Sequence, residues 1–464
     1  MKSWISAMLI AMTLCSAAPA RAQGCVTGGG ATVCLTATGG TSNVQLSWTV
    51  SGAVSNLQVY RDVNSDPVGR SRIATVGSTV RAYTDATAVS GTPYWYWLKF
   101  TAGGITFDSN TAATARAGMR SLTSLQLSAS MSPGWNLGNS LEAIGGETAW
   151  GNAATTQALI NGVKAAGFKS IRIPVSWKQY ADANDNISAS WMARVTQVVN
   201  YARSAGLYTI INIHWDGGWM QPTYAQQSTV NARITKFWTQ IGNNFKTYDD
   251  HLLFAGTNEV MKDGDYGTPT QEYYTVQNSF NQTFVNAVRA TGGYNATRHL
   301  VVQGFNTNID HTYNFLAVPT DTASKRLMVE VHFYDPYNFT LNDANDTIWQ
   351  WGNITTNAAY AESWANESYV DAQMAKMKSR FIDGLGMAVL MGEYSALSRT
   401  SVDSAQKYRT YWDQYVTRAA YTRGIVPVYW DAGFTGNHSS GLFNRSSGAA
   451  VHSGVISAVV NAAK

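Results

Sequence analysis

The stretch of sequence that decides the fold is Ser170–Trp177, which reads SIRIPVSW. Its apolar residues are typical of a buried β-strand, yet it carries a charged residue, Arg172, and ends at a tryptophan. A buried strand accommodates a charge only where a partner or a function requires it. The same pattern, an apolar strand that ends in polar or aromatic residues, recurs along the chain on both sides of this segment.

Eight strands of this kind are predicted between residues 134 and 433: Gly134–Asn139, Ser170–Trp177, Thr209–Asp216, Leu252–Glu259, His299–Asn306, Leu327–Pro336, Ala388–Tyr394 and Val426–Gly433. Amphipathic helical stretches lie between most of them, for example Thr155–Ala166, Trp191–Ala205 and Tyr408–Arg423. Apolar strands that alternate with helices indicate a parallel sheet of the α/β class. Eight strand–helix units predict a (β/α)8 TIM barrel over residues 121–464.

Residues 23–110 have a different composition, rich in Thr, Val, Ser and Gly. Short alternating runs such as Val44–Val50 and Asn56–Arg61, separated by turn residues, predict a small all-β sandwich that precedes the barrel. The motifs LSW (46–48), VYR (59–61), YTD (83–85) and YWYW (94–97) resemble those of a fibronectin type III domain. Two of the four aromatic rings in 94–97 face outward and could stack on a glycan, but we expect core and edge packing. Residues 111–120 are predicted to form a linker.

The first 22 residues are typical of a secretory signal peptide. Lys2 supplies the positive charge, residues 4–15 are largely apolar, and Ala20-Arg21-Ala22 fits a cleavage site. A signal anchor is the alternative. Cleavage predicts a secreted, extracellular or periplasmic protein without membrane attachment. It leaves two cysteines, Cys25 and Cys34, which we expect to form a disulfide in an oxidising compartment.

Composition and missing motifs exclude several classes of function. The 33 Lys and Arg residues nearly balance the 29 Asp and Glu residues, which argues against nucleic acid or an anionic membrane as the partner. No GxGxxG opens a helix, no HExxH occurs and no GxSxG elbow occurs. We therefore expect no cofactor, no metal and no serine nucleophile, and we expect a monomer.

The candidate chemistry lies at the carboxyl ends of the strands, where TIM barrels carry their active sites. Glu259 and Glu393 end strands four and seven, across the barrel mouth from each other. Hydrolysis of a glycosidic bond needs one carboxylic acid to protonate the leaving oxygen and a second carboxylate opposite it. We assign Glu259 as the general acid/base and Glu393 as the nucleophile, acting on a polysaccharide.

Other residues at the same strand ends are assigned supporting roles. Arg172 and Tyr334 are expected to hold Glu393 ionised, and Asn258 to bond the sugar 2-hydroxyl. His214 and His332 are candidates for hydroxyl contact or for tuning Glu259. Residues predicted to bind substrate are Asn136, Trp215, Trp219, Trp351 and Trp430, of which Trp430 offers a flat platform for a pyranose ring.

Residues from about 131 to 460 resemble glycoside hydrolase family 5. The matching motifs are GWNLGN (134–139), IRIPVSW (171–177), IINIHWD (210–216), FAGTNE (254–259), VHFYDP (331–336), LMGEY (390–394) and VYWD (428–431). The resemblance implies a retaining mechanism with a covalent intermediate. The recurrent functional positions of that family fall on Arg172, His214, Asn258, Glu259, His332, Tyr334, Glu393 and Trp430.

One departure from the family leaves the substrate open. Many relatives that cleave β-1,4-glucans have a second histidine after the strand-three histidine, where this chain has Trp215. Our favoured hypothesis is a retaining endo-β-1,4-glucanase acting on cellulose, mixed-linkage glucan or xyloglucan. A β-mannanase or another β-glycanase of the same fold is the nearest alternative, and a non-catalytic glycan-binding barrel is a further one.

Overall fold

A computed structural model describes residues 23–40, 43–64, 66–89, 92–108, 113–116, 119–344 and 346–464. The predicted signal peptide, residues 1–22, lies outside the described residues. The chain divides into two compact units, residues 1–117 and 118–464. Among the helices that the structure describes, none is both long enough and apolar enough to cross a membrane.

The first unit consists of antiparallel strands in two sheets, as the alternating pattern predicts. One sheet has the order β1-β2-β3-β6, and the other has the order β5-β4-β7-β8, with β9 paired to β7. The strands are β1 (Gln23–Gly28), β2 (Ala31–Gly39), β3 (Val44–Ser51), β4 (Ser55–Asp62), β5 (Ser71–Val76), β6 (Ala82–Asp85), β7 (Pro93–Ala102), β8 (Ile105–Asp108) and β9 (Ala113–Arg116).

Three details of this unit bear on the sequence predictions. Cys25 and Cys34 pair across the β1–β2 hairpin and form the predicted disulfide. Tyr94 and Tyr96 pack in the core of the unit, so this part of the aromatic run has a packing role. Residues 113–116 form a strand within the segment predicted as a linker. This strand pairs antiparallel with β7.

The second unit is a closed barrel of eight parallel strands, as predicted. The strands are β10 (Gly134–Leu137), β11 (Ser170–Ile173), β12 (Tyr208–Asn212), β13 (Leu252–Ala255), β14 (Leu300–Gln303), β15 (Leu327–His332), β16 (Ala388–Tyr394) and β17 (Ile425–Asp431). The helices are α1 (Ser124–Ser128), α2 (Gln157–Ala165), α3 (Ala189–Ser204), α4 (Tyr224–Phe245), α5 (Gln271–Ala290), α6 (Ile309–Phe315), α7 (Tyr337–Thr340), α8 (Glu367–Met377), α9 (Ala405–Tyr421) and α10 (Ser453–Ala462).

Alternation along each strand divides the apolar side chains into two layers. Residues such as Ile210, Met328 and Leu390 fill the barrel interior together with Leu127 of α1. Their neighbours in sequence, such as Ile211 and Val329, pack outward against the helices. Most strands end several residues before the predicted boundary, because the polar residues that follow turn away into the loops at the carboxyl rim. Those loops carry the candidate site.

An irregularity in β16 determines where Glu393 points. Met391 and Tyr394 both pack outward, although strict alternation would place only one residue between two outward positions. The register of β16 against both neighbouring strands shifts at this point, which marks a β-bulge. The extra residue allows Gly392 and Glu393 to lie consecutively on the inner side of the barrel.

Candidate active site

Arg172 is the centre of the polar network inside the carboxyl end of the barrel. It projects inward from β11 and is fully buried. One guanidinium nitrogen donates to Oε1 of Glu393 (2.9 Å) and Oδ1 of Asn136 (3.0 Å), and another donates to Oδ1 of Asn258 (2.6 Å). Nε lies 2.8 Å from Oε1 of Glu330. A single planar cation thus orients groups from four other strands or strand ends.

Glu393 is buried and is surrounded by groups that favour its charged form. Oε1 accepts from Arg172, Oε2 accepts from the Tyr334 hydroxyl at 3.1 Å, and Nδ1 of His332 lies 3.6 Å from Oε2. The pKa of Glu393 is nevertheless raised, because burial outweighs the lowering by His332 and Arg172. Burial also raises the pKa of Tyr334 well above its usual value, so its hydroxyl keeps the proton that it donates.

Glu259 is the more exposed of the two glutamates, with 40% of its side chain accessible. Its Oε1 lies 2.6 Å from Nδ1 of His332. Glu259, His332 and Glu393 each bring one atom to a shared volume, and these three atoms lie within 4.8 Å of one another. A carboxylate separation of roughly 5–5.5 Å is typical of retaining glycosidases, and one of roughly 6.5–9.5 Å is typical of inverting enzymes. One oxygen of each glutamate thus lies within 4.8 Å of the other, which is shorter than the inverting range.

His332 supplies a second buried positive charge. Burial alone disfavours its protonation, but contacts with Glu393, Glu259 and Glu330 prevail and raise the pKa of His332 to about 9. The imidazole is therefore doubly protonated at neutral pH. Its Nδ1–H donates to Glu259, and its Nε2 lies 3.4 Å from Oε1 of Glu330.

Among the residues that the structure describes, two groups of side chains are close enough together to ligate a metal ion: Glu259, His332 and Glu393 at the carboxyl rim, and Asp249, Asp250 and His251. In the first group Nδ1 of His332 already contacts Glu259 at 2.6 Å, and Arg172 pairs with Glu393. In the second, Arg203 pairs with Asp249 and Arg120 pairs with Asp250, so cations of the chain already neutralise both carboxylates.

His214 is held as a neutral hydrogen-bond donor. Burial, together with the nearby positive charges of Arg172 and His332, lowers its pKa well below the usual value. Oδ1 of Asn212 accepts from the backbone N–H of Val175, so the amide nitrogen of Asn212 faces Nδ1 of His214 at 3.2 Å. Nδ1 must then accept, which leaves the proton on Nε2.

Trp430 forms a flat wall of the site. Its ring is nearly parallel to that of His214, with an angle of 7° and a centroid distance of 5.8 Å. The backbone of Gly138 also approaches closely, since a Cβ atom there would lie 2.8 Å from the Trp430 ring. Glycine at position 138 therefore allows the ring to lie against the β10 end of the barrel.

The amide of Asn258 is oriented by Arg172 and directly precedes Glu259. Because Oδ1 accepts from the guanidinium, the amide nitrogen points the two N–H donors toward the site. Beside them a small cleft opens along the loops after β12 and β13. It is lined by His214, Trp215, Gly218, Met220, Gln221, Asn258, Glu259, Val260, Met261 and Asp263.

The five predicted substrate-binding residues lie in different environments. Trp215 lines the cleft and is 54% exposed, whereas Trp430 is half-buried beside His214. Trp219 is half-buried: its Nε1 donates to Asp216 at 2.8 Å, and the guanidinium of Arg233 lies 5.1 Å from its ring centre.

The other two of the five residues are buried. Asn136 is fully buried, and its amide is used by Arg172 and by the backbone carbonyls of Gly392, Val428 and Tyr429. It therefore has no free group for a sugar. Trp351 is 2% exposed and donates to the carbonyl of Ala365. Its ring packs against Tyr411 and Tyr415, so it anchors a loop instead of lining a subsite.

Sequence reasoning missed three residues of the network: Glu330, Gln303 and Asn212. All three lie on barrel strands at inward positions and are fully buried. A signal was present for Glu330, because it lies two residues before His332 in the apolar strand LMVEVH and therefore faces the same way. Thr257 and Glu330, which contact Gln303, and Val175, which contacts Asn212, are far from them in sequence, so no local pattern reveals these contacts.

With this geometry in hand, the comparison with known families is decisive. Residues 136–436 match the family model described as Cellulase (glycosyl hydrolase family 5). The chain belongs to glycosyl hydrolase family 5. It is therefore a glycoside hydrolase of a retaining family.

Several family 5 members resemble the chain over the whole barrel. Endoglucanase A of Paenibacillus barcinonensis is 42% identical over 375 residues, covering 76% of this chain and 92% of the relative. Xyloglucan-specific endo-beta-1,4-glucanase BoGH5A of Bacteroides ovatus is 41% identical over 372 residues, 75% of this chain and 72% of the relative. The structure of a Bacteroides ovatus GH5 xyloglucanase in complex with a XXXG heptasaccharide aligns with a TM-score of 0.72 at 32% identity, covering 92% of this chain and 97% of that one.

Proposed function

We propose that this family 5 protein is an endo-β-1,4-glucanase that uses Glu259 as general acid/base and Glu393 as nucleophile. The observation that carries the proposal is the pair of glutamates with one oxygen of each within 4.8 Å, one exposed to the cleft and the other held by Arg172. The two glutamates have different surroundings, which suit the two different roles. The buried carboxylate with cationic partners suits attack on carbon, and the exposed one suits proton exchange with the leaving group and water.

The first step forms a covalent intermediate. Glu259 gives its proton to the glycosidic oxygen as the bond from that oxygen to C1 breaks, and Oε2 or Oε1 of Glu393 forms a bond to C1. The Nδ1–H of His332 stabilises the charge that appears on Glu259. In the second step Glu259 takes a proton from water, the water oxygen bonds to C1, and Glu393 leaves as a carboxylate.

Three neighbouring groups bind the sugar whose C1 reacts. The amide N–H groups of Asn258 donate to the 2-hydroxyl, an interaction that strengthens in the transition state. The Nε2–H of His214 donates to a second hydroxyl, and the face of Trp430 stacks on the apolar face of the ring. Each of these groups is held by the chain before substrate arrives, so little ordering is needed on binding.

The substrate we propose is a β-1,4-glucan, with xyloglucan as the preferred polymer. Two of the similar proteins named above are described as acting on xyloglucan or as a xyloglucanase, and a third as an endoglucanase. The exposed ring of Trp215 beside Glu259 suits contact with a bulky, branched chain.

Initial rates on xyloglucan, lichenan, carboxymethylcellulose and mannan test this proposal. We expect kcat/KM on xyloglucan to exceed that on mannan by at least tenfold, with Glu393→Gln inert on all four. Strong cleavage of mannan with none of the glucans would overturn the substrate assignment. Equal inertness of the wild type and Glu393→Gln on every glycan would instead favour a glycan-binding barrel.

We also propose that residues 23–110 form a fibronectin type III-like module and that residues 1–22 direct export. The order β2-β3-β6 in one sheet and β5-β4-β7-β8 in the other supports a sandwich of that type. The Cys25–Cys34 disulfide supports an oxidising compartment. Mass spectrometry of protein recovered from the culture medium tests export, since it should begin after Ala22 and carry the disulfide.

A further inference from the structure

A third glutamate, Glu330, lies beneath the two proposed catalytic carboxylates and has no role in the steps above. It projects inward from β15 and is fully buried, one layer below His332 on the same strand. A buried carboxylate without compensation is strongly destabilising, so the chain must provide partners for it. Those partners reveal what Glu330 does.

Glu330 contacts the two cations that serve the catalytic pair. Its Oε1 lies 2.8 Å from Nε of Arg172 and 3.4 Å from Nε2 of His332. These are the faces of Arg172 and His332 that point away from Glu393 and Glu259. Glu330 therefore contacts both cations on the side opposite the two proposed catalytic glutamates.

The third contact of Glu330 is a hydrogen bond that its carboxylate accepts. Its Oε2 accepts from Nε2 of Gln303 at 2.7 Å. The amide of Gln303 cannot turn over, because its oxygen accepts from the backbone N–H and the hydroxyl of Thr257, both at 3.1 Å. The amide of Gln303 thus donates to Glu330, and Arg172 and His332 approach it as cations. Among side chains of this size, only an ionised glutamate accepts on both sides.

The neighbouring strand leaves room for this carboxylate. A Cβ atom on Gly392 would overlap with the carboxylate of Glu330. Gly392 is the residue immediately before Glu393, within the bulge of β16. The backbone that carries Glu393 is therefore shaped around Glu330.

We propose that Glu330 is a positioning residue for the reaction: it is the fixed negative charge that holds Arg172 against Glu393 and His332 against Glu259. This inference rests on the proposed function and deepens it. When Glu393 becomes an ester of C1, its negative charge is consumed, yet buried Arg172 keeps Glu330 as counter-ion. The network thus stays paired through the covalent intermediate.

Neutralising Glu330 should shift the pH dependence in a defined direction. The charged and titratable groups around it are Arg172 on β11, His332 on β15, Glu393 on β16 and Glu259 after β13. Removal of a negative charge lowers the pKa of the remaining carboxylates and of His332. In Glu330→Gln, both limbs of the kcat/KM profile should therefore shift to lower pH by about one unit or more.

The test compares kcat/KM profiles and nitrogen NMR spectra of the imidazoles in three proteins: the wild type, Glu330→Gln and the control Asp413→Asn. Asp413 is also a buried carboxylate that pairs with an arginine, Arg409, but it lies behind β16 on α9. Any glucan that the wild type hydrolyses can serve as substrate. We expect Glu330→Gln to lose at least about 100-fold in kcat/KM, with both limbs displaced and the His332 titration moved to lower pH. Asp413→Asn should shift neither the limbs of the kcat/KM profile nor the titration of His332.

Two outcomes would overturn the proposal. One is a Glu330→Gln profile with unmoved limbs, whether or not the rate falls. The other is a neutral His332 at pH 7 in wild-type protein, identified by the signal missing from His332→Asn. The second measurement needs no Glu330 variant, so it decides the matter even if Glu330→Gln does not fold. It also needs no substrate, so a failed substrate assignment would be recognised separately.

A double variant separates charge from hydrogen bonding. Glu330→Gln combined with Gln303→Glu restores a donor opposite an acceptor at their contact but moves the negative charge away from Arg172 and His332. We expect its stability to approach the wild-type value while the pH limbs stay displaced. Full recovery of the wild-type profile would show that hydrogen bonding alone suffices and would overturn the proposal.

Discussion

Nδ1 of His332 lies 2.6 Å from Oε1 of Glu259. This contact places a protonated imidazole directly against the proposed acid/base, on the side away from the open cleft. The same imidazole is within 3.6 Å of Glu393. His332 thus links the two glutamates electrostatically, and its charge state affects both.

The raised pKa of His332 predicts how stability depends on pH. In the unfolded chain a histidine has a pKa near about 6.5, and in the folded protein the value is about 9. A raised folded-state pKa contributes stability that is complete below the unfolded value and is lost as pH rises through the folded value. We expect about 2–3 kcal/mol from this group to disappear between pH 6.5 and pH 9. Chemical denaturation across that range measures the loss, which should be smaller in His332→Asn. If the free energy of unfolding fell equally steeply with pH in the wild type and in His332→Asn, this prediction would be contradicted.

The two glutamates should respond differently to substitution. Glu393→Gln keeps the size of the side chain but removes the nucleophile, so kcat should fall by about 10⁴-fold or more. Glu259→Gln should reduce kcat on polysaccharides by a similar factor. It should spare the first step on an aryl glycoside, because that leaving group needs no proton. Burst kinetics with a dinitrophenyl cellobioside check this, and identical behaviour of both variants on that substrate would refute the assignment.

Arg172 should be needed for stability as well as for activity. Arg172→Met leaves Glu330 and Glu393 buried without their cation, which should cost about 3–5 kcal/mol. The acid limb of kcat/KM should move to higher pH, because an unpaired buried carboxylate binds its proton more tightly. Arg172→Lys keeps the charge, but a lysine cannot reach Glu393 and Asn258 at once. Its stability and its acid limb should therefore lie between those of the wild type and Arg172→Met. An unchanged acid limb in Arg172→Met would argue against this role.

Two tryptophans from the same sequence prediction should behave in opposite ways. Trp215 is exposed beside Glu259, so Trp215→Ala should raise KM on xyloglucan by about fivefold to 50-fold with little change in Tm. Trp351 is buried, so Trp351→Ala should destabilise by about 3–5 kcal/mol with KM unchanged in the folded fraction. Paired measurements of Tm and KM distinguish the two. A KM effect in Trp351→Ala without destabilisation would contradict the burial argument.

The barrel should hydrolyse soluble substrate without the first unit. Residues 118–464 form a compact unit with its own core. Deletion of residues 23–117 should therefore leave kcat/KM on soluble xyloglucan within about threefold of the full chain. A selective loss on insoluble substrate would indicate that the first unit targets the polymer, whereas a loss on both would show that the barrel depends on it.

Local patterns predicted the barrel, its eight strands and the rim residues, because buried strands and their polar ends are visible in sequence. Most strand boundaries were overestimated, since an apolar run such as that after Ile173 continues into the loop without a break. Burial could not be predicted for Trp351 or Asn136, because packing against Tyr411 or hydrogen bonding to Gly392 depends on distant parts of the chain. The bulge that turns Glu393 inward has no local signal either.

The most direct test of the central claim is to trap the covalent intermediate. A 2-deoxy-2-fluoro-β-cellobioside with a dinitrophenolate leaving group should form an ester slowly and release it more slowly still. Peptide mapping by mass spectrometry should then find the fluorosugar on the peptide that contains Glu393, and on no peptide of Glu393→Gln. A label on Glu259 or on any other residue would contradict the account.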